Sequence, residues 1–158
     1  MPKTKFQNVI FTLLMAFVMV YAMICYNIAW DLGGLQNRIF VMALGEIIIM
    51  WPVAFILEFF VVEHLSKKLA FRLVTPGRDK PIFILLAISS MIVCLMCPMM
   101  SLIATLLFKH PGSELIAVWL QTTAVNFPMA LCWQIFFAGP FVRLIFRTLF
   151  RKQLAEEK

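Results

Sequence analysis

The chain has 158 residues, of which 63% are hydrophobic, and it carries a net charge of +6. Its mean hydropathy of +0.93 excludes an ordinary soluble domain, because one small core cannot hide that much apolar surface. A basic balance also suits nucleic-acid binding, but these basic residues lie between apolar runs, so no nucleic-acid partner is expected. The composition predicts a membrane protein whose first partner is the lipid bilayer.

Four apolar runs predict the architecture. A membrane-spanning helix needs about 20 mostly apolar residues, and the chain supplies four runs of at least that length. They cover residues 8–30, 39–62, 81–108 and 115–138, and we number them helices 1 to 4. We therefore predict an all-α membrane protein with four transmembrane helices, arranged as a two-helix unit (1–74), a linker (75–80) and a second two-helix unit (81–158).

The basic residues predict the orientation in the membrane. Twelve of them flank the termini and the central linker, whereas only Arg38 and Lys109 lie in the two short turns. Cytoplasmic segments carry the excess of lysine and arginine, so we predict that both termini and the linker are cytoplasmic. A subset at the cytoplasmic ends of helices 2 and 4 is expected to bind anionic lipid headgroups. This subset is Lys67, Lys68, Arg72, Arg143, Arg147 and Arg151.

Sulfur-containing residues on helices 1 and 3 have two interpretations. Met15 and Met19 are one four-residue step apart, and Cys94 and Cys97 form a CxxC pair. Methionine fills irregular gaps between helices, so packing is the favoured interpretation and no metal or other cofactor is expected. The alternative is Cu(I) handling by these four residues, because soft sulfur ligands suit that ion.

Helix 2 carries two acidic residues within its apolar run. Glu46 lies about seven residues from the outer end, or about 10 Å in depth. A carboxylate at that depth is a functional-site hypothesis by default, so Glu46 is the first candidate for a proton- or substrate-binding group. Glu58 lies nearer the inner end and is expected to reach the interface. At 100° per residue the two side chains are about 120° apart and do not share a face.

Helix 4 carries polar residues at the depth of Glu46. Gln121, Thr122 and Asn126 are predicted to form one polar stripe, and hydrogen-bonding side chains of this kind are common where membrane helices meet. Prolines are expected to bend helices 2, 3 and 4, because proline removes a backbone hydrogen bond. The predicted kinks are at Pro52, Pro98 and Pro128.

The two halves of the chain match at a constant offset of 76 residues. Pro52 falls on Pro128, and Glu58 falls on Gln134, which adds Gln134 to the candidate site residues. An even number of helices per unit makes the two repeats parallel, related by an axis along the membrane normal. On that geometry the Glu46 face meets the polar stripe of helix 4 across the axis.

Two resemblances follow from these segments. The basic N-terminus, LLMAFVMVYAM on helix 1 and MWPVAFILEFF on helix 2 resemble a bacterial family known as domain of unknown function 2798, present here as two copies. The resemblance implies a bacterial cytoplasmic membrane protein and brings no catalytic residues. The tandem helix pairs are more loosely similar to the proteobacterial antimicrobial compound efflux proteins. Those proteins carry an acidic residue in helix 1, and this chain has none there.

Three functions remain open at this stage. The first is proton-coupled transport or efflux of a cationic, lipophilic small molecule, with Glu46 as the proton-binding group and a homodimer enclosing the path. The second is a membrane scaffold or accessory subunit that transports nothing, and the third is Cu(I) handling. An enzyme is not expected, because the sequence has no P-loop, dinucleotide fingerprint or HExxH motif.

Overall fold

The computed structural model describes residues 4–110 and 112–156, and within these ranges the chain is helical and contains no strand. Four helices are long and apolar enough to cross a membrane, which confirms the predicted all-α, four-helix architecture. They are α1 (Lys5–Leu32), α2 (Asn37–Leu73), α3 (Pro81–Lys109) and α4 (Gly112–Leu149), and a short helix, α5 (Arg151–Glu156), follows them.

Local sequence signals explain where the helices begin and end. The Thr4 side chain caps α1 by accepting a hydrogen bond from the backbone N–H of Gln7 at 3.2 Å. Gly33 ends α1 in the left-handed region, with φ 76°, where the absence of a Cβ avoids strain. Pro81 opens α3, where its missing N–H has no helical partner to lose.

The four long helices form a ring. The extensive contacts of α1 are with α2 and α4, and those of α3 are also with α2 and α4. The helices α1 and α3 therefore stand opposite each other, and so do α2 and α4. At the end of the ring that holds the termini, a polar contact joins α1 to α2: Asn8 Nδ2 donates to both carboxylate oxygens of Glu63, at 3.0 and 3.2 Å. We call this end of the ring the terminal end, and the end formed by residues 33–36 and 110–114 the hairpin end.

The buried side chains recur every four residues. On α4 the buried positions at this spacing are Thr122, Asn126, Ala130, Gln134, Ala138, Val142 and Phe146, and Gly139 is buried beside them. A four-residue step exceeds the 3.6 residues of a helical turn, so the buried ridge winds slowly round the helix. Helices that cross at an angle pack along such ridges. Most of the remaining surface is apolar and faces outward: at most 33% of each apolar span is buried inside the protein.

Wide π turns interrupt α2 and α4 at equivalent positions. They cover Glu58–Val62 and Trp133–Ala138. The backbone N–H of Glu63 donates to the carbonyl of Glu58, and that of Gly139 donates to the carbonyl of Gln134. Donors and acceptors of the two bonds are each 76 residues apart. A third π turn, Thr105–Lys109, ends α3. Single π turns inside helices are frequent at functional sites.

The three prolines lie inside α-helical segments. Pro52 and Pro128 lie within Asn37–Leu57 and Leu115–Cys132 respectively, and Pro98 lies within Pro81–Ala104. Each proline leaves the carbonyl four residues earlier without its helical donor. That each proline bends its helix stays a prediction.

Candidate functional site

A cavity of about 300 Å³ lies at the centre of the ring, and all four long helices line it. Its volume is at the lower end of the range for small-molecule sites, roughly 300–1,000 Å³. Its polar and charged lining residues are Asn27, Asp31, Glu46, Glu58, Ser101, Lys109, Thr122, Asn126 and Gln134. It reaches from Asp31 and Lys109 near the hairpin end to Glu58 and Gln134 at the π turns.

The two repeats contribute equivalent positions to this cavity. From α2 the cavity receives Glu46, Met50 and Glu58, and from α4 it receives the residues 76 positions later. These are Thr122, Asn126 and Gln134. The structure therefore places the two repeats round one central cavity. Two of the three equivalent pairs, Glu46 with Thr122 and Glu58 with Gln134, are polar in both repeats, and the third pairs Met50 with Asn126.

Glu58 is more deeply placed than predicted. Its side chain is 7% exposed, so the expectation that it reaches the interface is wrong. The reason is packing: the π turn Glu58–Val62 contacts both α1 and α3, and these neighbours cover the side chain. Glu46 and Glu58 nevertheless both line the cavity, although the α-helix between them keeps their side chains about 120° apart. A ridge that advances by four residues keeps both carboxyls towards it.

Glu58 has no polar partner in the part of the chain that the structure describes: no hydrogen bond or ion pair involves it. The next acidic residue along α2, Glu63, does have partners: its carboxylate accepts a hydrogen bond from Asn8 and forms an ion pair with Lys67. A buried carboxylate without a partner is costly, and a bound proton or cation removes that cost. Among the cavity residues, Glu58 is thus the one whose charge the described residues leave without a partner.

The hairpin end of the cavity holds three charged side chains. Lys109 Nζ lies 3.5 Å from Asp31 Oδ1 and donates to Thr122 Oγ1 at 3.4 Å. Glu46 lines the same end and is partly exposed. The sequence analysis did not select Asp31 or Lys109 as site residues. One signal was present, because Lys109 is one of only two basic residues in the short turns.

The predicted polar stripe of helix 4 is only partly correct. Thr122, Asn126 and Gln134 are buried and line the cavity. Gln121 is exposed and is not part of the lining, so its assignment to the stripe is wrong. One residue turns the helix by 100°, which carries Gln121 off the ridge that starts at Thr122.

Two amide oxygens in the cavity wall have no donor. Asn126 Nδ2 donates to Ser101 Oγ at 3.5 Å, but Asn126 Oδ1 has no partner among the described residues. The same holds for Gln134 Oε1. Both side chains are almost fully buried, at 4% and 2% exposure. Buried polar atoms are nearly always hydrogen-bonded, so two orphan acceptors beside one cavity need an explanation.

The sulfur-containing residues separate into two groups. Seven of them line the cavity: Met19, Met23, Met42, Met50, Met96, Cys97 and Met100. Met15 packs instead against Ala138 and Val142, and Cys94 is exposed. The structure therefore does not bring together the four residues of the Cu(I) alternative. In the described residues, no three His, Cys, Asp or Glu side chains converge as metal ligands.

The predicted headgroup-binding residues lie on the parts of α2 and α4 that approach the terminal end, and on α5. All are exposed except Arg143, which is partly buried. The set is Lys67, Lys68, Arg72, Arg143, Arg147 and Arg151. Their contact with lipid headgroups stays a prediction.

Comparison with known proteins agrees with the repeat. The family model described as "Domain of unknown function (DUF2798)" matches twice, over residues 4–74 and 82–150, which confirms the predicted resemblance and its two copies. A relative in Bacillus subtilis (strain 168), the "Uncharacterized protein YybC", is 31% identical, and the match covers 98% of each chain. No solved structure matches the chain.

Proposed function

Because the chain belongs to the DUF2798 family, whose description names no activity, we propose its function from the cavity: it is a small membrane transporter that exchanges protons for lipophilic cations. The observation that carries this proposal is the unpartnered, buried carboxyl of Glu58 at the inner limit of a central cavity. Such a carboxyl is stabilised either by a bound proton or by a bound cation, and it cannot hold both at the same time. Competition between the two at one carboxyl is the basis of coupled exchange.

The rest of the cavity wall suits an apolar cation. Methionine side chains from α1, α2 and α3 line it, and flexible, polarizable thioethers adapt to ligands of different shape. Glu46 lies towards the hairpin end and favours entry of positive charge, whereas Asp31 beside it is paired with Lys109. In this mechanism Glu46 attracts the cation and Glu58 exchanges it for a proton, which moves the leading role from Glu46 to Glu58.

The orientation and location belong to the same proposal. We place the chain in the bacterial cytoplasmic membrane with the terminal end inside, because the basic residues concentrate there. In a background without native cysteines, Gly34→Cys should react with a membrane-impermeant maleimide added to intact cells. Gly77→Cys should react only after the membrane is opened. The reverse pattern would invert the proposed topology.

A homodimer is a further part of the proposal. The four helices of a single chain line the cavity without closing it, so a second copy could complete the wall. Mass measurement of the protein in nanodiscs separates a monomer from a dimer without disturbing the cavity.

The test of transport is proton release from proteoliposomes on addition of tetraethylammonium or a primary alkylammonium salt. The wild type should exchange, Glu58→Gln should not, and Glu46→Gln should exchange more slowly. Glu114→Gln is the matched control, because Glu114 is exposed and outside the cavity. Full exchange by Glu58→Gln would remove this carboxyl from the mechanism. Silence from a well-folded wild type would favour the alternative, an accessory subunit or scaffold that transports nothing.

A further inference from the structure

We propose that the ion pair between Asp31 and Lys109 is a releasable latch that holds the two repeats together at the hairpin end. The pair joins the last turn of α1, in the first repeat (4–74), to the last residue of α3, in the second repeat (82–150). When the pair separates, the repeats part at this end while the terminal end stays assembled. This inference goes beyond the proposed function and does not depend on transport.

The two repeats pack unevenly along the length of the ring. At the terminal end, Glu63–Leu73 of α2 packs closely against α3, and Gly139–Leu149 of α4 packs closely against α1. Towards the hairpin end, Asn37–Leu57 approaches α3 at few points, and Leu115–Cys132 approaches α1 at few points. The repeats are therefore held firmly at one end and loosely at the other, an arrangement that permits hinge motion.

The apolar contacts that cross between the repeats near the cavity include four methionines. Met96 and Met100 of α3 pack against a buried cluster from α1 and α2, and Met19 and Met23 of α1 pack against a buried cluster from α3 and α4. Methionine side chains adapt to changes in shape, so these contacts do not fix the distance between the repeats. Within the described residues, no hydrogen bond or second ion pair joins the repeats at the hairpin end beside the latch.

The geometry of the latch suits a contact that forms and breaks. In the described part of the chain, the backbones of α1 and α3 stand on opposite sides of the ring and do not contact each other. The long Lys109 side chain therefore spans the gap, and its Nζ lies 3.5 Å from Asp31 Oδ1. The two side chains are 26% and 53% exposed. Ion pairs with this much exposure are weak and are screened by salt, so a modest perturbation releases the latch.

Each of the two side chains is placed to favour this pairing. Asp31 lies in the last turn of α1, where the helix dipole disfavours an acid, and the sequence of that turn, AWDL, supplies no basic residue. Lys109 Nζ also donates to Thr122 Oγ1 at 3.4 Å, which orients the ammonium group. All three residues line the cavity. Parting of the repeats therefore also widens the cavity at the hairpin end.

Double electron–electron resonance between nitroxide labels measures this parting directly. In a background without native cysteines, one label pair is placed at the hairpin end, on Leu35→Cys and Ser113→Cys. A second pair is placed at the terminal end, on Leu73→Cys and Leu149→Cys, which are equivalent positions of the two repeats. All four positions are exposed. The protein is measured in phosphatidylcholine nanodiscs without added ligand.

Two single variants release the latch in different ways. Lys109→Met removes the attraction and Asp31→Lys replaces it with repulsion, so each should raise the longer-distance population of the hairpin-end labels at least about twofold. The charge-swapped variant, which combines Asp31→Lys with Lys109→Asp, should restore the wild-type distances. Arg38→Met is the matched control, since Arg38 is the other basic residue of the short turns and is exposed, and it should leave them unchanged.

Salt provides a second test that needs no substitution in the latch. At about 1 M salt the Debye length is about 3 Å, so the wild type should shift towards the longer hairpin-end distances and Lys109→Met should not. The inference is overturned if both single variants keep the wild-type distances, or if the charge swap fails to restore them. Equal lengthening at both ends would also overturn it, because the repeats would then separate as a whole.

Discussion

Replacing Gln134 by methionine tests whether the cavity wall holds an unsatisfied acceptor. The Gln134 side chain is 2% exposed, and its Oε1 atom has no donor in the described part of the chain. An unsatisfied buried polar atom costs about 1–3 kcal/mol. Methionine has a similar length and no strong acceptor, and thioethers already line the cavity. The variant should therefore be more stable than the wild type in the absence of ligand.

The expected change is large enough to measure. For a chain of this size, each kcal/mol shifts the unfolding temperature by about 2–4 °C, so Gln134→Met should unfold roughly 2–12 °C higher. The measurement is thermal unfolding in dodecyl maltoside followed by tryptophan fluorescence, without added amine. Gln121→Met controls for the chemical change, because Gln121 is exposed on the same helix, and its unfolding temperature should stay within about 1 °C of the wild type.

A lower or unchanged unfolding temperature for Gln134→Met would refute this reasoning. It would mean that Gln134 Oε1 has a partner, such as an ordered water molecule, that stabilises the empty protein. The amide would then be a structural group that stabilises the empty protein.

Three further variants test the packing of two glycines and one polar contact. Gly139→Ala should destabilise the protein by about 1–3 kcal/mol, because a Cβ there would lie 2.9 Å from the Gln134 carbonyl oxygen. Gly45→Ala, where a Cβ meets nothing within 4 Å, should be neutral or stabilising by up to about 1 kcal/mol. Equal effects of both on thermal unfolding would contradict the tight π turn. Asn8→Leu should cost about 1 kcal/mol by removing its two hydrogen bonds to Glu63. Unchanged denaturant unfolding would show that this contact contributes nothing.

The sequence predicted the number and type of helices because lipid sets a simple rule of length and hydropathy. It also predicted that Thr122 and Asn126 belong with the acidic face of helix 2, since the 76-residue offset already aligned them. It misplaced Glu58, because a position along one helix does not show which neighbouring helices will cover the side chain, and here α1 and α3 contact its turn.

The face of a side chain was harder to predict than its helix. The angular argument from a single straight helix separated Glu46 from Glu58 and joined Gln121 to Thr122. The structure places Gln121 outside the cavity and both acidic residues along it, because crossing helices pack along four-residue ridges and the crossing is a property of the assembled ring. The orphan acceptors were equally inaccessible to sequence analysis, since pairing depends on which donors other helices supply.

The matched π turns of α2 and α4 have a consequence for symmetry. A ring assembled from two identical copies of one two-helix unit would carry the same residue at both turns, and two acidic side chains at a shared cavity repel each other. Joining the units in one chain removes that constraint: one turn begins with Glu58, and the equivalent position of the other is Gln134. Covalent linkage of the repeats thus allows one acidic side chain, instead of two, at the pair of π turns.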